Sequence, residues 1–104
     1  MQLIEHQSHF WELYQNNEHY YLSIAVDMSS VVSCWDLVLS ATEINHYKTA
    51  GRNSIEILAK QIIAAAYRGD FSIMDSRLAA SPEQDAMQKT YQDWSKLQNS
   101  SAIL

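Results

Sequence analysis

Tyr20-Tyr21-Leu22-Ser23-Ile24-Ala25-Val26-Asp27 is the stretch whose reading decides the fold. Tyr20, Leu22, Ile24 and Val26 fall on one side of it; Tyr21, Ser23, Ala25 and Asp27 fall on the other. Alternation of period two in a β-branched and aromatic run predicts a strand. Met28-Ser29-Ser30 reads as a turn, and Val31–Leu39 as the returning strand, with Val31, Ser33, Trp35, Leu37 and Leu39 on one face. That second run is ambiguous, because Val31, Cys34, Trp35 and Val38 also make a helical stripe; the strand is the preferred reading.

Working toward the C-terminus, Ser40-Ala41-Thr42-Glu43 has the form of a capping box. The Ser hydroxyl accepts from the third helical amide, and the Glu carboxylate reaches back to the Ser amide. A helix carrying Ile44 and Tyr47 should start there and stop at Gly51, a residue that takes the left-handed cap conformation readily. Asn53 is then expected to cap a second helix, in which Ile55, Leu58, Ala59, Ile62, Ile63 and Ala66 recur at helical spacing before Gly69. Phe71–Ala79 fits either a short strand or a helix. Ser81-Pro82-Glu83-Gln84 predicts a last helix, with Ser as cap, Pro at the first helical position and Gln at the third. It should run to about Leu97 with Met87, Tyr91, Trp94 and Leu97 inward, leaving Asn99–Leu104 as a frayed tail. Toward the N-terminus, a short helix is expected over Ser8–Gln15, with Ser8 as cap, Phe10, Leu13 and Tyr14 as its apolar stripe, and Asn16-Asn17 as its end. The sum is one α+β domain over residues 1–104: a small antiparallel sheet, one hairpin open to a third strand, packed with three or four helices. An all-α bundle is the alternative.

Composition bounds the setting. The chain has 104 residues, 47% of them hydrophobic, a globular balance with enough length for a core. A single cysteine, Cys34, leaves no internal disulfide and gives no sign of an oxidising compartment. Met1–Ser8 has no basic segment, and Glu5 and His6 interrupt any apolar run, so no signal peptide is expected. The longest apolar stretch, Ile62–Tyr67, falls far short of the ~20 residues of a membrane span. A reducing cytoplasm is the expected location.

Charge is distributed unevenly. No Lys or Arg precedes Lys48, while Glu5, Glu12, Glu18, Asp27, Asp36 and Glu43 all do, giving residues 1–47 a formal charge of −6. Residues 48–104 hold seven basic and six acidic side chains. An acidic surface with interspersed aromatics suits docking onto a basic protein and opposes nucleic acid. The same charges would also serve as a solvated, solubilising face.

Chemistry-bearing patterns are few. His6 and His9, near Glu5 and Glu12, suggest a metal patch, but the Ser8 cap places His6 outside the helix. Cys34 beside Trp35 reads as a small core residue, without the His partner and helix N-terminus that a nucleophile needs. Asp27, Asp36 and Glu43 are available for acid–base work but fall at element ends, where carboxylates also cap and turn. With only Gly51 and Gly69, no phosphate-binding glycine loop can form. Neither catalysis, a metal nor a cofactor is expected.

The run Tyr20–Asp27, its continuation Ser29-Ser30-Val31 to Trp35-Asp36-Leu37-Val38-Leu39-Ser40, and then Glu43, Tyr47, Gly51, Ser54-Ile55 and Leu58-Ala59 form a layout of strand pair, capped helix and second helix. Spanning Tyr20–Ile63, it resembles the small immunity proteins of bacterial polymorphic toxin systems, including contact-dependent growth inhibition. That resemblance implies a cytoplasmic protein that binds and neutralises one cognate toxin domain, often a nuclease with a basic cleft. Carboxylates facing such a cleft stand in for phosphates. The candidate interface residues are Asp27, Asp36, Glu43 and Tyr47, with Glu18 and Tyr21 behind them. A cytoplasmic adaptor with an acidic protein-binding face is the alternative, and a metalloenzyme using the N-terminal histidines a third reading.

Overall fold

The expected strand forms the middle of a larger sheet than one hairpin. A computed structural model describes residues 1–17, 19–28 and 31–103. Four strands, β1 (Gln2–Gln7), β2 (Trp11–Asn16), β3 (His19–Met28) and β4 (Val31–Val38), form an antiparallel sheet in chain order. Four helices follow: α1 (Ala41–Ala50), α2 (Arg52–Tyr67), α3 (Ser72–Ser76) and α4 (Ser81–Ile103). The α+β class holds, and the all-α alternative does not.

The segment Ser8–Gln15 corrects the sequence reading: it is a turn and strand β2, not a helix. Phe10, Leu13 and Tyr14 match a helical stripe, yet Trp11 and Leu13 also match period two. The long-range requirement decides between them. Tyr21 and Leu22 point to opposite faces of β3 and are both buried, so the backbone groups on both edges of β3 need partners. β2 supplies one, in register from Trp11↔Ile24 to Asn16↔His19, and β4 the other, from Tyr21↔Val38 to Met28↔Val31. The β1–β2 turn closes with the Phe10 N–H donating to Gln7 O at 3.0 Å, and His9 takes φ +62° there. Such a left-handed position is usually filled by Gly or Asn. Of the turn expected at Met28-Ser29-Ser30, Met28 ends β3; Ser29 and Ser30 lie outside the described residues, as do Glu18 and Leu104.

Both hydrogen bonds of the α1 capping box are formed: the Glu43 N–H donates to Ser40 Oγ at 3.2 Å, and the Ser40 N–H to Glu43 Oε1 at 2.8 Å. Gly51 ends α1 at φ +70°, its N–H donating to Tyr47 O at 2.7 Å. It also serves as the N-cap of α2, so Asn53 lies inside the first turn and is not the cap. Phe71–Ala79 resolves into the short α3 followed by a single bridge of Leu78 to Leu37 on β4. α4 begins at Ser81, where the Gln84 side-chain amide donates to Ala79 O at 2.7 Å instead of closing a box on Ser81. It continues as helix through Ile103, where a frayed tail was expected.

Each face of the sheet is buried by a different set of helices. On one face Trp11, Leu13, Leu22, Ile24, Val26 and Leu37 pack against Ile55, Ala59, Ile62 and Ala66 of α2 and Met74 of α3. Ile44 and Tyr47 of α1 extend this layer. On the other face a smaller cluster joins Tyr14 and Tyr21 to Ala79 and Met87, with Leu3 and Val38 at its margin. Only part of the expected α4 stripe is inward: Met87 is buried, whereas Tyr91 and Leu97 are exposed. Trp94 meets the His6 ring edge-on at 4.7 Å, and the Thr90 hydroxyl reaches Met1 O, so α4 lies over β1 and leaves Ser23, Ala25 and Asp27 of β3 and Val32, Cys34 and Asp36 of β4 half-buried or exposed on this side.

Candidate protein-binding face

The open part of the sheet forms the floor of a groove of about 720 Å³ bounded by α4. Period-two alternation selects its floor. Glu12 and Tyr14 come from β2, Ser23, Ala25 and Asp27 from β3, and Val32, Cys34 and Asp36 from β4. Gln84, Asp85, Gln88 and Tyr91 of α4 form the facing wall, and His9 stands at one end. Pairing sets His6, Glu12, Ser23 and Asp36 side by side in one row across all four strands. Four carboxylates, Glu12, Asp27, Asp36 and Asp85, line the groove, and none of the described lining residues is Lys or Arg.

Partial burial makes two of these acids, Glu12 and Asp36, reluctant to ionise. Burial, reinforced by the charge of Asp36, raises the Glu12 carboxyl above its ordinary range, against hydrogen bonding from the Tyr14 hydroxyl at 3.3 Å and the nearby His6. Burial also raises Asp36, opposed by a hydrogen bond from Ser23. The Cys34 thiol is pushed up by burial and then by Glu12 and Asp36. A cationic side chain entering the groove relieves both costs. The Ser23 hydroxyl lies two strand spacings, roughly 10 Å, from His6, too far for a nucleophile and its base.

This electrostatic tension predicts a pH effect. The folded chain holds the Asp36 proton more tightly than the unfolded chain does, so this residue's stabilisation is full at low pH and is lost as pH rises through the raised folded value. Asp36→Asn should therefore melt at a higher temperature than the native chain near neutral pH. The advantage should shrink to nothing below the ordinary carboxylate range, as thermal denaturation over a pH series would show.

The residues singled out from sequence do not form one site. Asp27 and Asp36 lie together in the groove, Asp27 exposed and with its carbonyl accepting from the Tyr67 hydroxyl at 2.9 Å. Glu43 lies on the other side of the sheet, committed to the α1 capping box and paired with Arg77. Tyr47 is also there, donating to Glu5 Oε2 at 2.5 Å; burial and then that contact push its hydroxyl pKa up to about 12. Tyr21 is core, 5% exposed. Glu18 lies outside the described residues. Cys34, read as core, is exposed on the groove floor. Sequence reasoning passed over Glu12, because a helix was read there, and Asp85, which reaches the groove only through the packing of α4. Of the N-terminal histidines, His6 is in β1 against Trp94 and His9 is in the turn. Among the described residues no three of His, Cys, Asp and Glu converge as a metal site, and no helix is long and apolar enough to cross a membrane.

The assignment of Glu43 to structure is itself testable. Glu43→Ala removes half the capping box and leaves Arg77 without its partner, which should cost about 1–2 kcal/mol in equilibrium unfolding. Asp27→Ala, exposed at a strand end, should stay within about 0.5 kcal/mol of the native chain.

No protein-family model, no curated protein and no solved structure matches this chain.

Proposed function

We propose that this protein is a cytoplasmic immunity protein that binds a cognate bacterial toxin domain, a nuclease with a basic cleft, and neutralises it without chemistry of its own. The observation that carries this reading is the groove: four carboxylates from three strands and a helix on one face, with no cation among the lining residues described. Lys and Arg side chains that hold a nucleic-acid backbone in the toxin's cleft are the natural partners of such a row. Tyr91, exposed on the α4 wall, gives the groove an aromatic contact of the kind that slows dissociation. The net charge of −5 favours rapid encounter with a basic partner. Of the layout that resembles immunity proteins, the strand pair supplies part of this face, and the capped helix and second helix cover the opposite side of the sheet.

Growth under co-expression tests the proposal. The C-terminal domain of the protein encoded directly upstream is expressed in a susceptible bacterium, with and without this chain. Arrest that this chain alone relieves, with a stable complex on a sizing column, is the expected result. A toxic neighbour that this chain neither binds nor relieves would defeat the proposal and favour an adaptor using the same acidic face.

A further inference from the structure

Strand β4 ends the sheet, and its outer edge is only half covered. The Val38 N–H donates to Arg77 O, and Asp36 O accepts from the Ala79 N–H, both at 2.9 Å. Those bonds fix which backbone groups of β4 point away from β3: they belong to Asp36 and Val38 and, by the period of a strand, to Val32 and Cys34. Ala25 agrees, because it pairs with Cys34 but sends its own N–H to Phe10 O on the β2 side. No described residue meets the outward backbone groups of Val32 or Cys34, and both side chains are exposed. The other edge strand, β1, carries a bulge between Leu3 and Glu5, a common device against strand addition; β4 runs in unbroken register.

We infer that the open Val32–Cys34 edge accepts an added β-strand from a basic partner protein, so that recognition combines backbone pairing with the acidic groove. The partner's class rests on the immunity reading; the strand addition rests on the edge. Charge selects the occupant. An added strand sets alternate side chains beside Val32 and Cys34 on the groove side, where Lys or Arg meets the carboxylates. The intervening side chains fall on the opposite face, beside Trp35, which stacks on Phe71 at 6.0 Å, and there apolar residues fit. A second copy of this chain is the wrong partner, because β4 pairing about a two-fold axis would merge two acidic faces, each from a chain of net charge −5.

The probe is a capped octapeptide of alternating Lys and Val, together with two versions N-methylated on alternate backbone amides, one for each phase. Titration of the full chain and amide hydrogen exchange are the readouts. The unmodified peptide should bind and slow exchange at Val32 and Cys34 at least tenfold. Methylation in one phase should weaken binding at least tenfold, while the other phase is tolerated. Cys34→Pro removes an outward N–H, a change that edge strands tolerate, and should weaken binding equally. Should that variant not fold, the peptide pair on the native chain still decides. Absent binding, equal binding by all three peptides without protection at Cys34, or concentration-dependent protection of Cys34 in the free chain would each overturn the inference. In the growth assay, equal rescue by the native chain and by folded Cys34→Pro, at equal toxin affinity, overturns strand addition and leaves immunity standing. Protection at Cys34 by the peptide, in a chain that rescues nothing, does the reverse.

Discussion

Asp27→Lys combined with Asp36→Lys should slow association with the proposed basic partner by about tenfold to a hundredfold at low salt, within the range attributed to electrostatic steering. The two substitutions reverse charge on one wall of the groove, where both side chains lie. The remaining acids, Glu12 and Asp85, then face two cations of their own chain. The salt dependence should flatten, because the native rate falls as the Debye length shrinks to about 8 Å at physiological ionic strength while the variant has little attraction left to screen. Stopped-flow association over a salt series is the measurement. Glu43→Lys is the informative contrast: it should lower stability through the capping box and Arg77 while leaving the association rate near native, since Glu43 is on the other side of the sheet. An unchanged rate in the double variant would remove electrostatic steering from the mechanism.

The largest expected loss of stability comes from Trp11→Ala, at about 3–5 kcal/mol. Trp11 is 0% exposed and packs between the sheet and α2, with the Arg52 guanidinium 4.8 Å above its ring. Truncation opens a cavity and removes a cation–π contact worth about 0.5–1 kcal/mol. Against a total stability of about 5–15 kcal/mol for a domain of this kind, that loss leaves a substantial unfolded fraction. Trp11→Phe should cost far less, about 1–2 kcal/mol. The buried indole Nε1–H has no acceptor among the described residues, so its removal offsets part of the lost packing. Urea unfolding with an unchanged m-value would confirm that both effects act on the folded state.

Electrostatic and packing roles separate in this chain along the strand alternation. Trp11 and Leu13 of β2 and Leu22, Ile24 and Val26 of β3 face α2 and are apolar; their neighbours face the groove and include Glu12, Ser23 and Asp27. A one-residue slip of β3 would bury Asp27 and expose Ile24, so the hydrophobic pattern that secures the core also secures the acidic face. The raised carboxyls of Glu12 and Asp36 show that placing acids under partial cover on that face costs stability.

Local signals in the sequence were sufficient wherever one element carries its own instructions. Alternation in Tyr20–Asp27 specified β3, the Ser40–Glu43 box and Gly51 specified both ends of α1, and the stripe from Ile55 to Ala66 specified α2. Each depends on neighbours within a few residues, so no distant contact was needed to read it. Asp27 and Asp36 were legible as surface acids for the same reason. Tertiary structure alone decided the rest. Trp11–Asn16 has a pattern compatible with helix or strand, and it became a strand because the backbone groups on that edge of β3 required a partner. The pairing of Glu43 with Ser40 was legible as a capping box, but its pairing with Arg77 and that of Tyr47 with Glu5 form only when α1 folds over the sheet. Glu12, Asp36 and Asp85 are far apart along the chain and became one groove through strand register and the placement of α4. Period and capping are local free-energy choices and can be read from a sequence; pairing and convergence are set by burying both faces of one sheet at once.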